Sequence, residues 1–273
     1  MSALVLSLFP GIGLLDMAFE EEGFCVVRGP DLLWGGDVHR FHPPAWRFDG
    51  VIGGPPCQRF SRLAHIVRAV HGESALAPNL IPEFERVVGE ARPAWFLMEN
   101  VPGAPEANVA GYVVKSCVIN NRWVPDGDSP IGPEQNRERR FSFGTRDGRA
   151  LTPELAILEN PRWEPAVVST AGGRRVSVAI GSGKPKGNQG GGASARLRTR
   201  TTAEMARLQG LPDDFLADAP FTRREKERVI GNGVPLPLGR AIARAVKRAL
   251  EAGEHRQPKT DATDDGANHL RLR

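Results

Sequence analysis

The chain has 273 residues, 40% hydrophobic and 25% charged, the proportions of an ordinary globular protein long enough to bury a large core. No apolar stretch approaches a membrane span, and three cysteines without metal-type pair spacing argue against a disulfide framework and a structural zinc. The net charge of +4 suits a polyanionic partner without requiring one.

The N-terminus, MSALVLSLF, lacks a basic leader and a small-residue cleavage site, which favours a cytoplasmic protein. Residues 3–9 (ALVLSLF) predict a fully buried strand running into Pro10-Gly11-Ile12-Gly13. A helix follows, with Leu14, Leu15, Ala18 and Phe19 on one face, Glu20, Glu21 and Glu22 outside, and Gly23 as its stop. Cys25-Val26-Val27 predicts a second strand ending near Asp31, and Asp49 to Ile52 a third. Ile81, Phe84, Val87, Val88 and Ala91 recur at helical spacing before a buried strand, Ala94 to Met98, that delivers Glu99 and Asn100. Strands alternating with helices specify an α/β fold, a doubly wound Rossmann-like parallel sheet whose ligand crevice lies beyond the C-terminal strand ends. Phe9, Gly11, Asp31, Cys57 and Glu99 all fall at that end.

Helical periodicity is lost between about 146 and 200, where residues 181–192 (GSGKPKGNQGGG) form a glycine-rich stretch with two lysines. That interval predicts a small insert. Order returns with a short helix from Thr202 to Leu208. The last helix runs from about Pro237 to Ala252, with Leu238, Ala241, Ile242, Ala245, Val246 and Ala249 on one face. Arg240, Arg244, Lys247 and Arg248 lie on the other, expected to be a solvated face. Residues 255–273 have little to bury and are expected to form a disordered tail.

The segment Gly53-Gly54-Pro55-Pro56-Cys57-Gln58 puts a thiol on a stiff loop just past the third strand. Taken alone it is equally a buried cysteine beside a proline turn. Its company decides: Phe9-x-Gly11-x-Gly13, Pro55-Pro56-Cys57-Gln58, Glu99-Asn100-Val101, Gln135-x-Arg137-x-Arg139, Arg207-Leu208-Gln209-Gly210-x-Pro212 and Gly231-Asn232-x-Val234-Pro235. This ordered series, from residue 4 to about 250, resembles the cytosine-C5 DNA methyltransferases.

The resemblance implies a mechanism. Carbon 5 of cytosine is a poor nucleophile until a thiolate adds to carbon 6. Cys57 matches the family's nucleophile, and Glu99 its carboxylate on ring nitrogen 3, which implies a raised pKa in a dry pocket. Arg137 and Arg139 match arginines that hold the base, Asn100 is expected to position the cysteine loop, and Gln58, Ser61 and Gln135 are candidate substrate or DNA contacts. The implied cofactor is S-adenosyl-L-methionine, with Phe9, Gly11, Ile12, Gly13 and Pro55 around its methionine part. Asp31 is the candidate for its ribose and Asp37 for its adenine, with Asn232 and Val234 closing the site. The spacing does not fit a dinucleotide fingerprint.

By the same resemblance, residues 1–145 form the catalytic and donor-binding domain, 146–218 a target-recognition region, and 219–254 a segment returning to the catalytic domain. Arg174, Arg175, Lys184, Lys186, Arg196, Arg198 and Arg200 are candidate DNA-backbone contacts. The implied partner is double-stranded DNA, with no membrane and no metal, in a monomer that a cognate restriction endonuclease could accompany. His39-x-x-His42 lacks further ligands at suitable spacing, and Cys25 and Cys117 are expected to be inert core residues. The motifs leave open a transfer RNA cytosine as substrate, or a catalytically silent DNA-binding relative.

Overall fold

Val5, Leu6 and Leu8, then Val51 and Ile52, then Trp95 to Met98, are all buried, so their strands need cover on both faces. The computed structural model describes residues 2–60, 62–73, 76–168, 175–177 and 197–254, and supplies that cover. The first half contains β1 (Leu4–Leu8), α1 (Leu14–Glu21), β2 (Cys25–Arg28), β3 (Gly50–Gly53), α2 (Arg62–His71), α3 (Ile81–Ala91) and β4 (Trp95–Asn100). Then come β5 (Val113–Asn120), β6 (Gln135–Asn136), β7 (Glu138–Thr145), β8 (Glu164–Pro165), β9 (Arg175–Ser177) and β10 (Leu197–Thr199). Three helices finish the chain: α4 (Thr202–Leu208), α5 (Arg223–Asn232) and α6 (Leu236–Glu254). No helix among the described residues is long and apolar enough to cross a membrane.

The main sheet has the order β2-β1-β3-β4-β7-β5. Its first four strands are parallel, as the alternating pattern requires, but β7 runs antiparallel to both β4 and β5. The sheet is therefore mixed rather than wholly parallel. Strands β5 and β7 escape sequence reading because β5 is an edge strand with scattered exposure and β7 opens on Glu138-Arg139-Arg140. Helices α2 and α5 are likewise not foreseen. Phe19, Leu238, Ile242 and Val246 pack one face of the sheet, and Phe84, Val88 and Ala91 the other.

Helices α1 and α6 meet through a small pair, because a Cβ on Gly239 would lie 2.9 Å from that of Ala18. This close approach lets the charged face of α6 reach α1. Arg240 pairs with Glu21 at 2.5 Å, Arg244 with Glu22 at 3.3 Å, and Arg248 with Glu154 at 2.5 Å. Lys247 donates to the Glu22 carbonyl at 3.0 Å. The expected solvated face is instead a belt of ion pairs. Cys25 is exposed, not core, because β2 is the other edge of the sheet; Cys117 is half-buried. The tail from 255 and the glycine-rich stretch 181–192 lie outside the described residues.

Strand β3 starts at a position that admits no side chain: a Cβ on Gly50 would fall 2.2 Å from the Trp95 ring. Gly50→Ala is expected to lower the unfolding free energy by about 1–3 kcal/mol, the cost of overpacking a filled core, as measured by urea denaturation. An unchanged midpoint would show that Trp95 has room to move.

Candidate active site

The chain leaves β1 toward β2 on one side while β3 lies on the other, so the order reverses between β1 and β3. Open α/β sheets bind ligands at this switch point. Leu8 pairs with Gly53, and Gly53 with Met98, so β1 and β3 end in one row and β4 runs two residues past it. The turn after β1, the cysteine loop after β3 and Glu99 on β4 therefore start side by side.

Two glycines let the cysteine loop sit down on this end. A Cβ on Gly53 would lie 2.8 Å from the Leu8 carbonyl oxygen, and one on Gly54 would lie 2.9 Å from Glu99 Oε2. Asn100 Nδ2 donates to the carbonyl of buried Pro55 at 3.1 Å, pinning the loop from beneath, as expected of that asparagine. The Phe60 amide donates to the Cys57 carbonyl at 2.9 Å and closes the turn. Cys57 thereby sits near enough to Glu99 for that charge to act on its thiol, and Gln58 is exposed.

Glu99 is 8% exposed and meets Arg139 Nε through Oε1 at 2.7 Å. Arg139 comes from β7, whose antiparallel register sets Arg140 opposite Asn100. Burial pushes the Glu99 carboxyl up, against the pull of Arg139 and Arg137. Burial also pushes the Cys57 thiol up; Arg139 opposes this most, the Glu99 charge adds to it and Arg137 opposes it.

Arg137 and Gln135 lie below the crevice rather than in it. The Arg137 guanidinium donates to the Val167 carbonyl and, at 3.0 Å each, to those of Gly231 and Gly233. Burial and neighbouring Arg139 pull it down to about 9, still cationic at neutral pH. Gln135 Nε2 donates to the Leu208 carbonyl at 2.5 Å and to Gln209 Oε1 at 3.0 Å, while its Oε1 accepts from the Val167 amide at 2.9 Å. Gln209 Nε2 in turn donates to the Ile230 carbonyl at 2.6 Å. Both are buried, with Gln135 fully paired in this network and the Arg137 Nε left without a hydrogen-bond partner.

The turn after β1 is bent for a ligand. Phe9, Gly11 and Gly13 all have left-handed φ, of 56°, 57° and 80°. For Phe9 that conformation costs of order 1–3 kcal/mol, which the neighbouring structure must offset. Asp31 accepts from the Gly11 amide at 2.8 Å and the Leu33 amide at 2.7 Å, tying the turn to the loop after β2. Asp37 caps the short 3-10 turn Val38–Arg40, accepting from the His39 amide at 3.0 Å. Ile12 is half-buried, Val234 is buried and Asn232 exposed. Sequence reading missed Trp34, whose indole N–H donates to the Gly11 carbonyl at 2.7 Å and stands 59% exposed beside Asp31. An aromatic three residues past the acidic candidate was its available signal.

Other candidates have ordinary roles. His39 pairs with Glu83 at 3.3 Å and His42 with Glu90 at 3.0 Å, both on α3. Arg200 is buried against Glu164 at 2.7 Å and the Pro165 carbonyl at 3.0 Å, which removes it from the DNA-contact candidates. Ser61, Arg174, Lys184, Lys186 and Arg196 lie outside the described residues, as do the side chains of Arg175 and Arg198.

The family model for C-5 cytosine-specific DNA methylases matches residues 36–170 and 162–248. The chain belongs to that family. It is a DNA (cytosine-5-)-methyltransferase. The methylase is 23% identical to the type II methyltransferase M.NgoPII of Neisseria gonorrhoeae over 332 aligned residues, covering 90% of this chain and 96% of the relative. It is 28% identical to M.HindV of Haemophilus influenzae, covering 88% and 94%. Among solved structures, DNMT2 of Spodoptera frugiperda shares the fold at TM-score 0.60 and 15% identity, covering 91% of this chain and 100% of that one. The Entamoeba histolytica methyltransferase EhMeth does so at 0.59 and 14%, covering 92% and 99%.

The two arginines of the methylase separate experimentally. Arg137→Met removes the guanidinium from the Val167 and Gly231 carbonyls, while the Gly233 carbonyl keeps Gln209 Nε2, and is expected to cost about 3 kcal/mol or more of stability by urea denaturation. Arg139→Met leaves only Glu99 without its cation and should be the milder of the two in unfolding. Equal stability losses would contradict the division between a buried tie and a crevice residue.

Proposed function

We propose that the methylase extrudes a cytosine from duplex DNA and attacks it with Cys57 over a protonated Glu99. One observation carries the reading: the Gly54 backbone rests against Glu99 Oε2, which seats the thiol loop on a carboxyl that burial holds toward its acid form. Extruding the base costs a few kcal/mol, and only then can the enclosed groups reach its ring.

The methyl group comes from the donor and the carbon 5 proton goes to water; the remaining bond and proton changes fall on this chain's own residues. The Cys57 thiolate adds to carbon 6 while the Glu99 proton moves to ring nitrogen 3, leaving carbon 5 electron-rich. Arg139 then holds the Glu99 carboxylate through Nε. After carbon 5 has gained its methyl group it gives up its proton to a base, the Cys57 sulfur leaves carbon 6, and nitrogen 3 returns its proton to Glu99. General acid assistance of this kind is typically worth roughly a hundred- to ten-thousand-fold.

The family is S-adenosylmethionine-dependent, and the turn after β1 fits that donor. A Cβ on Gly11 would meet nothing within 4 Å, so its backbone is open to a ligand beside the first turn of α1. When bound, S-adenosylmethionine supplies an electrophilic methyl group. Phe9, Gly11, Ile12 and Gly13 would line its methionine part, Asp31 has one lone pair left on each oxygen for ribose hydroxyls, and Trp34 offers a ring face for the adenine. Asp37, Pro55, Asn232 and Val234 complete the same wall. We assign target reading to residues 146–218, where β8 pairs with β6 and β9 with β10, on duplex DNA and as a monomer.

DNA carrying 5-fluorocytosine, which cannot release a proton from carbon 5, should form a covalent adduct at Cys57 when the donor is present. Cys57→Ala is expected to abolish both adduct and methyl transfer while retaining DNA; full activity in that variant would remove the mechanism. The thiol itself gives a second test, read as Cys57 alkylation against pH by peptide mass spectrometry. Arg139 pulls the thiol down and the Glu99 charge pushes it up. Arg139→Gln should therefore shift the alkylation midpoint to higher pH and Glu99→Gln to lower pH, and shifts of the same sign would contradict the geometry.

A further inference from the structure

At the opposite end of the sheet from Cys57, a cavity of about 460 Å3 opens between α3, the loop before β3 and the loop before β5. Its lining includes Trp46, Glu85, Gly89, Arg92, Asn108 and Arg146. Three features distinguish this open, largely exposed surface, and one of its residues, Arg92, is also the left-handed C-cap of α3. First, among the described residues only Phe9, Trp46 and Arg92 are non-glycine residues with left-handed backbone. Phe9 belongs to the donor turn, and the other two form this rim, held by the Trp46 amide on the Ala91 carbonyl at 2.8 Å.

Second, α3 carries a glycine on the cavity wall, although glycine weakens a helix relative to alanine. Gly239 of α6 has a packing reason, its contact with Ala18, whereas a Cβ on Gly89 would meet nothing within 4 Å. Gly89 is exposed, so a side chain there would enter open space at the cavity wall without meeting the protein.

Third, two guanidiniums lie against one aromatic ring with no carboxylate partner among the described residues. Arg92 and Arg146 stack on the Trp46 ring at 5.6 and 5.9 Å, and Arg146 also stacks on Tyr112 at 4.7 Å. Neither meets a carboxylate among the described residues, and Arg146 reaches only the Gly111 carbonyl at 3.4 Å and the Tyr112 hydroxyl at 3.5 Å. Stacking occupies the guanidinium faces and leaves the N–H edges for an anion. Seven residues back along α3, about 10 Å away at the helical rise, Glu85 accepts from the Asn108 amide at 2.7 Å. Its second oxygen and the Asn108 side chain offer polar groups at that end.

We propose that this cavity is a second ligand site, taking a nucleotide with its phosphate on Arg92 and Arg146 and its amine-bearing base edge at Glu85 and Asn108. The volume lies in the range of small-molecule pockets, about 300–1,000 Å3. The phosphate can belong to a free nucleotide or to the end of a DNA strand, and the site lies too far from the crevice to be part of the methyl-transfer machinery.

Calorimetric titration of the full chain, with S-adenosylhomocysteine present to fill the donor site, tests this. Guanosine monophosphate is expected to bind saturably, more tightly than uridine monophosphate, which lacks an exocyclic amine. Arg146→Gln should weaken it about tenfold or more, the worth of a charge-assisted contact. Arg92→Gly should do the same with an unreduced melting temperature, because glycine suits the left-handed backbone there. Glu85→Gln should weaken guanosine monophosphate and leave inorganic phosphate unchanged. Displacement by a 5′-phosphorylated oligonucleotide but not its 5′-hydroxyl counterpart would identify a strand end as the source of the phosphate, and no displacement a free nucleotide. Absence of saturable binding at millimolar nucleotide, or binding that survives both arginine variants, overturns the proposal.

Discussion

The common row in which β1 and β3 end and past which β4 projects is the constraint on which the rest depends. Leu8, Gly53 and Met98 stand in that row, and every group of the crevice is within one to five residues of it or is held by something that is. Parallel register permits little slippage here, since a shift of one residue would exchange the side chains packed on the two buried faces of each strand. Gly50 and Gly53 add to that rigidity. The ring of Trp95 and the Leu8 carbonyl occupy the space where their side chains would be, so β3 cannot slide past its neighbours without collision.

A second constraint ties the distant parts of the chain to this end. Arg137 and Gln135 stand before β7, Gln209 follows α4, and Gly231 and Gly233 flank the end of α5. All of them meet in one buried polar network. Three short motifs, separated by up to about a hundred residues, are therefore one structure. A buried guanidinium is expensive to desolvate, and three carbonyl acceptors offset that cost only while all three segments are in place. The arrangement makes the returning C-terminal segment a condition of the crevice rather than an appendage to it.

This also explains what the sequence could and could not show. The strands β1, β3 and β4 and the helices α1, α3 and α6 were legible because each carries an unbroken apolar run or a clear 3.6-residue stripe. Strands β5 and β7 were not, since an edge strand and one opening on three charged residues show neither. Cys57 and Glu99 were legible as a pair at the crevice because both follow buried strands. Arg137 and Arg139, two residues apart in an extended segment, could not be told apart as chain letters. Only the antiparallel register of β7 sends Arg139 to Glu99 and Arg137 into the network beneath. The ion pairs of α6 were hidden for a related reason: its arginines look solvated until Gly239 brings α1 close enough for Glu21 and Glu22 to meet them.

The electrostatics of the crevice follow from placing a thiol and a carboxyl together where water is scarce. Burial disfavours both anions, and the Glu99 charge pushes the Cys57 thiol up further. Arg139 and Arg137 pull the other way, and their combined field supports one anion better than two. In the attack we propose, a protonated Glu99 is what ring nitrogen 3 needs, and it is also what removes the carboxylate charge that opposes a Cys57 thiolate. The acid form of one group thus favours the nucleophilic form of the other. On that proposal a single proton placed on Glu99 prepares both ends of the attack, and the 2.7 Å contact with Arg139 stabilises the carboxylate once that proton has moved to the base.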